Sequence, residues 1–389
     1  MAAKPLLPGN PLDPGMARAE WEKEIRKLGR FNLAIFGKTG VGKSTLVNAI
    51  FGEDVARTGI GRPVTQDSHL YLAKSGTLGL YDTKGLEIGT SSEQILAELQ
   101  TFIDSRRGRD ASEHIHIAYY CIRAGDHRIE PAERAFIDGL HRLGLPVFLV
   151  LTQVHRRNGV YRGEHMEFAD YLAGLGLPVH AGRPYPTAAL PDHQLGFESF
   201  GLQELLTDTY GRAPESVQTA LAAAQVIDRS MKRRAARARI AAAATAAGGV
   251  GATPIPFTDA ALLVPLQMGM MASIAQVYRI PMDSALAASL AATALATNAG
   301  RMAATSLMKM LPGVNFVVMG ISAAVAASFT TAMGTAWLTV CEMMADGRFG
   351  PLDSMDNDRI SAEFMRLFKT TFGDAVDRIG RRARNDGGA

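Results

Sequence analysis

The octapeptide Gly37-Lys38-Thr39-Gly40-Val41-Gly42-Lys43-Ser44 has the spacing G-x-x-x-x-G-K-[ST], and Thr45 follows it. Glycines at this spacing let backbone N–H groups curl around a phosphate. The lysine spans the terminal phosphates, and the Ser44 hydroxyl can hold Mg²⁺. An apolar strand-like run precedes the loop and a helical run follows, so the helix N-terminus adds its positive end to the same place. The chemistry predicted is the binding of a nucleoside triphosphate with its metal.

Two weaker signals come next in the order such a site needs. "TGIGRPVTQD" (58–67) is a loop with one threonine, Thr65, just before a strand. "LGLYDTKGLE" (78–87) ends a strand in Asp-x-x-Gly, with Asp82 and Gly85. An acid at a strand end suits a water-mediated Mg²⁺ contact, and a glycine there lets a backbone N–H swing onto the γ-phosphate. The expected catalytic set is Lys43, Thr65 and Gly85, and the expected metal set is Ser44, Thr65 and Asp82.

These residues need a frame to position them. Further strands are expected at 115–122 and 147–151, with helices around "SSEQILAELQTFIDS" and "EPAERAFIDGLHRLG" between them. Strands alternating with helices predict an α/β domain, a mostly parallel sheet with helices on both faces and ligands at the carboxyl ends of its strands. At 389 residues the chain suits two domains, with a boundary near Gly211 to Pro214. With 41 Lys and Arg against 38 Asp and Glu, the formal charge of +3 gives no sign of a nucleic-acid binder, and none is expected as a partner. Two distant cysteines, Cys121 and Cys341, and opening residues without an apolar signal core point to a reducing compartment, the cytoplasm by default.

From residue 30 to about 210 the chain resembles the Era-like GTPases, in the class that also holds dynamins, septins and immunity-related GTPases. The likeness rests on the loop from Gly37 to Ser44, on Thr65 and on Asp82-Thr83-Lys84-Gly85. It implies a GTPase domain over 30–212, GTP and GDP as ligands, Mg²⁺ dependence, and a base loop opening at Thr152. Thr187 and Ala188 in "YPTAAL" match the short motif that supports guanine O6. The sequence departs from the family twice. The base loop of the family is [NT]-K-x-D, but here Gln153 stands for the lysine and His155 for the aspartate. An imidazole offers at most one acceptor, so it cannot take both guanine N–H bonds, and a lost bond to a buried donor costs about 1–3 kcal/mol. Leu86 follows Gly85 where Ras-like enzymes place the water-orienting glutamine, which predicts slow intrinsic turnover. Lys38 and Arg128 are candidates for a catalytic cation, as is a second protomer in a homodimer through the GTPase face.

The back half reads differently. Between Ile240 and Cys341 there are five charged residues, Asp259, Arg279, Asp283, Arg301 and Lys309. A basic helix, "MKRRAARARIAAAATAAGG", leads into this stretch. Uncharged runs cover 19 residues from Ala260 to Tyr278 and 32 from Met310 to Cys341, lengths that reach those of a bilayer span. Pro312, Gly313, Asn315 and many small residues make them poor spans, so an Ala-rich helical domain over 213–345 that meets an anionic membrane surface is expected, with integral insertion as the alternative. "TPIPFTDAALLVPLQMGMMASIAQVY" and "LPGVNFVVMGISAAVAAS" are similar to a helical domain that bacteria fuse to Era-like GTPases and also place in inner-membrane proteins. Residues 1–29 are expected to form a helical extension, and 346–389 a C-terminal helix with a disordered tail.

Overall fold

The computed structural model describes residues 29–52, 70–73, 75–81, 92–251, 259–280, 317–351 and 356–386. Thr65, Asp82, Gly85, Leu86 and the expected N-terminal helix before Gly29 lie outside the described residues. The chain divides into two compact units, Gly29–Arg229 and a second that takes in Ser230–Ala389.

The first unit is built on a six-stranded sheet of β1 (Phe31–Phe36), β2 (Leu70–Leu72), β3 (Leu78–Tyr81), β4 (Ile117–Arg123), β5 (Val147–Thr152) and β8 (Tyr185–Pro186), in the order β2-β3-β1-β4-β5-β8. Every pairing is parallel except β2 with β3. A separate short hairpin joins β6 (Arg156–Arg157) to β7 (Val160–Tyr161). The strands read as nearly continuous apolar runs because both faces are covered. Alternate residues face opposite ways. Ala34, Phe36, Tyr120, Leu149 and Leu151 share a core with Ile95 and Leu99 of α2 (Ser92–Ser105), Phe136 and Leu140 of α3 (Pro131–Arg142), and Phe168 and Leu172 of α4 (Gly163–Gly174). On the other face Tyr119 Oη lies 2.6 Å from Thr209 Oγ1 of α5 (Leu202–Arg212). The expected mostly parallel sheet with helices on both faces is present.

The helix α6 (Glu215–Ala224) packs against β1 and β3, so the compact unit continues to Arg229, past the turn residues near 211–214 that suggested a boundary. Four of its buried positions are Ala220, Ala222, Ala223 and Ala224, small residues that let it lie close to the sheet, with Leu221 buried among them.

His116, just before β4, is locked into this unit as a neutral ring. Its Nδ1 accepts from the Asn32 backbone N–H at 2.8 Å, which leaves Nε2–H to donate to the Ala111 carbonyl at 2.8 Å. Burial pushes its pKa down to about 4, against about 6.5 for a free histidine. Between those values the unfolded chain binds a proton that the folded one refuses, so stability is lost as the pH falls from about 6.5 to about 4. The linkage amounts to roughly 3 kcal/mol at about 1.4 kcal/mol per unit. Urea titrations at pH 7 and pH 4.5 are expected to show that loss, and His116→Asn to flatten it; equal pH slopes for both proteins would assign the acid sensitivity elsewhere.

The second unit is helical: α7 (Arg229–Gly251), α8 (Asp259–Val277), α9 (Val317–Ala345) and α10 (Asn357–Asp386). Gly334 of α9 sets their spacing, since a Cβ there would meet Ile240 Cγ1 at 2.7 Å and Met270 Sδ at 2.8 Å. Along α10, Ile360, Phe364, Phe368 and Phe372 recur every fourth residue and are buried, and the last two rings meet Phe329 edge-on. α10 runs on through Arg381–Asp386, into the residues where the tail is expected. Among the described residues no helix is long and apolar enough to cross a membrane, so the integral-membrane alternative gains nothing from the structure. Arg233 of α7, itself exposed, is held by both oxygens of Glu342, at 2.7 and 2.9 Å.

Candidate nucleotide site

The strand order reverses around β1, whose neighbours β3 and β4 are reached in opposite directions, and the loop after β1 opens at that switch point. Gly37 has φ +129, and a Cβ on it would lie 2.3 Å from the Cys121 carbonyl oxygen, so only glycine lets the loop leave the sheet here. Gly42, with φ +96, is the N-cap of α1 (Lys43–Phe51). Lys43 Nζ folds back onto the loop, donating to the Gly37 carbonyl and to the Lys38 carbonyl at 3.0 Å. Thr39 and Gly40 are exposed, Val41 is buried, and Ser44 and Thr45 stand in the first turn of α1. Backbone N–H groups, the positive end of α1, an ammonium and a hydroxyl therefore converge, a donor set that fits a magnesium-bound phosphate chain.

Lys38 has been taken up by the protein itself. Its ammonium lies 2.8 Å from Glu130 Oε1 and 3.2 Å from Glu133 Oε2, at the start of α3. Burial opposes its charge, but the hydrogen bonds it donates to the two carboxylates outweigh that and raise its pKa. Glu133 is fixed by the Glu130 backbone N–H at 2.8 Å and by Tyr120 Oη at 3.3 Å. Arg128 reaches the same Glu130 at 3.8 Å. Both candidate cations thus meet at Glu130, and for Lys38 no local spacing announced the pairing.

The base side lies at the ends of β5 and β8. Thr152 Oγ1 donates to the Val41 carbonyl at 2.5 Å, with the Ile122 carbonyl 3.1 Å away, and this ties the phosphate loop to the base loop. Gln153, with φ +55, donates from Nε2 to the Gly40 carbonyl at 3.3 Å. Thr187 N–H bonds the Leu151 carbonyl at 2.8 Å and its own carbonyl accepts from Val154 at 3.0 Å. A cavity of about 290 Å³ opens here, with Thr45, Thr152, Gln153, His155, Thr187 and Ala188 in its walls. The structure brings together the expected residues of the phosphate loop, the base loop and the Thr187–Ala188 pair. His155 lies flat on Phe197, with ring centroids 4.2 Å apart and planes 9° apart, and burial lowers its pKa.

Residues 32–153 match the family described as 50S ribosome-binding GTPase. This part of the chain is a P-loop GTPase domain. GTPase Der of Nitrobacter hamburgensis is 32% identical over 151 residues, covering 38% of this chain and 30% of that protein. GTPase Der of Rhodopseudomonas palustris is 31% identical over 153 residues, with shares of 38% and 30%. The chain thus spans about 30% of the length of these relatives. Among solved structures, the apo form of translation elongation factor SelB from Methanococcus maripaludis is 18% identical over 48% of this chain and 35% of that one, with a TM-score of 0.31, too low to argue from. Residues 216–354 match a domain of unknown function, DUF697. The GTPase domain implies GTP or GDP and Mg²⁺ as its ligands, and the convergent donors around Gly37 to Ser44 are of the right kind. Cavity residues that motif reading missed, Asp192 and Phe197, come from a hairpin some forty residues beyond the base loop.

Proposed function

We propose that this protein binds GTP and GDP with Mg²⁺, hydrolyses GTP, and uses nucleotide state to act on its helical unit. The observation that carries the reading is the Lys43 ammonium bonded to its own loop carbonyls at the N-terminus of α1, next to a base-sized cavity at the ends of β5 and β8. Mg²⁺ supplies charge neutralisation between the outer phosphates when bound. In this reading Ser44, Thr65 and Asp82 hold the metal, the loop from Gly37 to Thr45 holds the phosphates, and the Gly85 N–H meets the γ-phosphate. Thr152, Gln153, His155, Thr187 and Ala188 enclose the base. Leu86 keeps turnover slow, and a homodimer through the nucleotide face is the proposed source of the missing catalytic group. Competition between GTP and ATP, with phosphate release measured across protein concentrations, tests this. Equal binding of ATP removes the guanine assignment, and specific activity that stays flat with concentration removes the dimer.

A short path supports the coupling. Val226, in the link between α6 and α7, donates its N–H to the Ile50 carbonyl in the last turn of α1 at 2.9 Å. The link is stiffened by Gln225, fully buried, whose Oε1 accepts from Asp228 N–H and whose Nε2 donates to the Asp228 carbonyl, both at 2.7 Å. A shift of α1 on phosphate binding is therefore felt where the basic helix begins. An anionic membrane surface is the proposed contact of that helix, through the exposed Arg234 and Arg237. Flotation with anionic vesicles is expected to be stronger with a GTP analogue than with GDP. Val226→Pro, which removes the N–H, should abolish that difference while leaving nucleotide affinity within about twofold, since the extended Gln225 tolerates a following proline. No vesicle binding in either state would remove the membrane contact from the reading.

A further inference from the structure

The family's guanine-reading aspartate is missing from the base loop, yet the cavity holds a carboxylate. We propose that Asp192 reads the guanine edge, carried into the cavity wall by a hairpin that His155 buttresses. This rests on the proposed function, namely that the cavity of about 290 Å³ receives the base.

Asp192 is the one acid in that cavity wall among the described residues. It faces Phe197 across a tight hairpin, each backbone N–H bonded to the other's carbonyl at 2.9 Å. Its Oδ1 accepts from the Gln194 and Leu195 backbone N–H groups, both at 3.0 Å, which fixes the side chain and leaves Oδ2 to meet a ligand. The hairpin is pinned to the base loop in two ways. His155 stacks on Phe197. Past the hairpin, Glu198 takes the Arg156 guanidinium at 2.8 Å and gives its N–H to the Arg156 carbonyl at 2.9 Å. His155 is itself held, its N–H on His165 Nδ1 at 3.1 Å and its carbonyl on the Arg162 N–H at 2.9 Å. The residue at the usual reading position has thus become a support for another reader. Guanine offers N1–H and a 2-amino group, both donors, to a carboxylate. Adenine offers a bare N1 and a C–H, which a carboxylate rejects.

The test uses the full chain with Mg²⁺ and a fluorescent GDP displaced by GTP, XTP or ATP. Asp192→Asn keeps a carbonyl for the two hairpin N–H bonds but replaces the second acceptor with an amino donor. It is expected to weaken GTP about ten- to a hundredfold and to tighten XTP, whose 2-oxo group accepts from that amino group. A gain for XTP cannot arise from a damaged hairpin. If Asp192→Asn leaves the GTP to XTP ratio unchanged, or weakens every nucleotide equally, Asp192 is not the reader, while a natural protein that still prefers GTP to ATP keeps the proposed function. A natural protein that binds ATP as tightly as GTP overturns both.

Discussion

Lys43→Ala is expected to lower affinity for GTP and GDP by about 10²- to 10⁴-fold. In the structure the ammonium donates to the carbonyls of Gly37 and Lys38, which orients it along the inside of the loop. Bound phosphate offers charged oxygens in place of those neutral carbonyls, and bonds between charged partners contribute about 1.5–3 kcal/mol each. Two such bonds amount to roughly 3–6 kcal/mol, which gives the quoted factor. Alanine retains helix propensity at the first position of α1, so the fold should persist. Titration with a fluorescent nucleotide, alongside a thermal melt of the nucleotide-free protein, separates the two effects. A loss of affinity under tenfold with an unchanged melt would show that the loop does not grip phosphate through Lys43.

The second large effect belongs to the helical unit. Trp337→Ala should destabilise that unit by about 3–5 kcal/mol, the range for removing a large aromatic side chain from a core. Trp337 is fully buried, donates Nε1–H to the Met271 carbonyl at 3.0 Å, and meets the Phe364 ring edge-on at 5.9 Å. It therefore joins α9 to α8 and to α10 at once. Small side chains fill much of the unit, so little else there replaces its area; Ala332 and Ala336 are among its buried neighbours in sequence. Trp337→Phe keeps the ring contact and loses the hydrogen bond, and about 1 kcal/mol plus the smaller ring's lost burial is expected. Denaturant unfolding followed by circular dichroism should show an early helical transition in the alanine variant, with nucleotide binding by the GTPase domain retained. An unshifted transition would mean that these helices are not held through Trp337.

The sequence by itself determined whatever a single turn of chain can encode. The phosphate loop is such a case: Gly37, Gly42, Lys43 and Ser44 lie within eight residues, and the spacing that lets backbone curl around an anion is the same spacing that identifies it. Strand and helix order could be read for a similar reason, since apolar runs and helical periodicity are local properties. The departures at Gln153 and His155 were equally visible, but their meaning was not. Only the packing of β5, β8 and the 192–197 hairpin put Asp192 and Phe197 beside His155, because a cavity wall is assembled by register between strands rather than by spacing along one. The same holds for Lys38, whose partners Glu130 and Glu133 lie about ninety residues away and reach it because β1 and β4 are neighbours. Tertiary contact also decided that α6 belongs to the sheet, where its buried alanines fit, although the turn residues before it looked like a domain boundary. In the helical unit, scarcity of charge announced burial, but a low-charge sequence is compatible with a membrane and with a packed bundle alike. The pairing of Arg233 with Glu342 and the seating of Trp337 on Met271 are what only the tertiary structure supplied, because both join residues more than sixty positions apart.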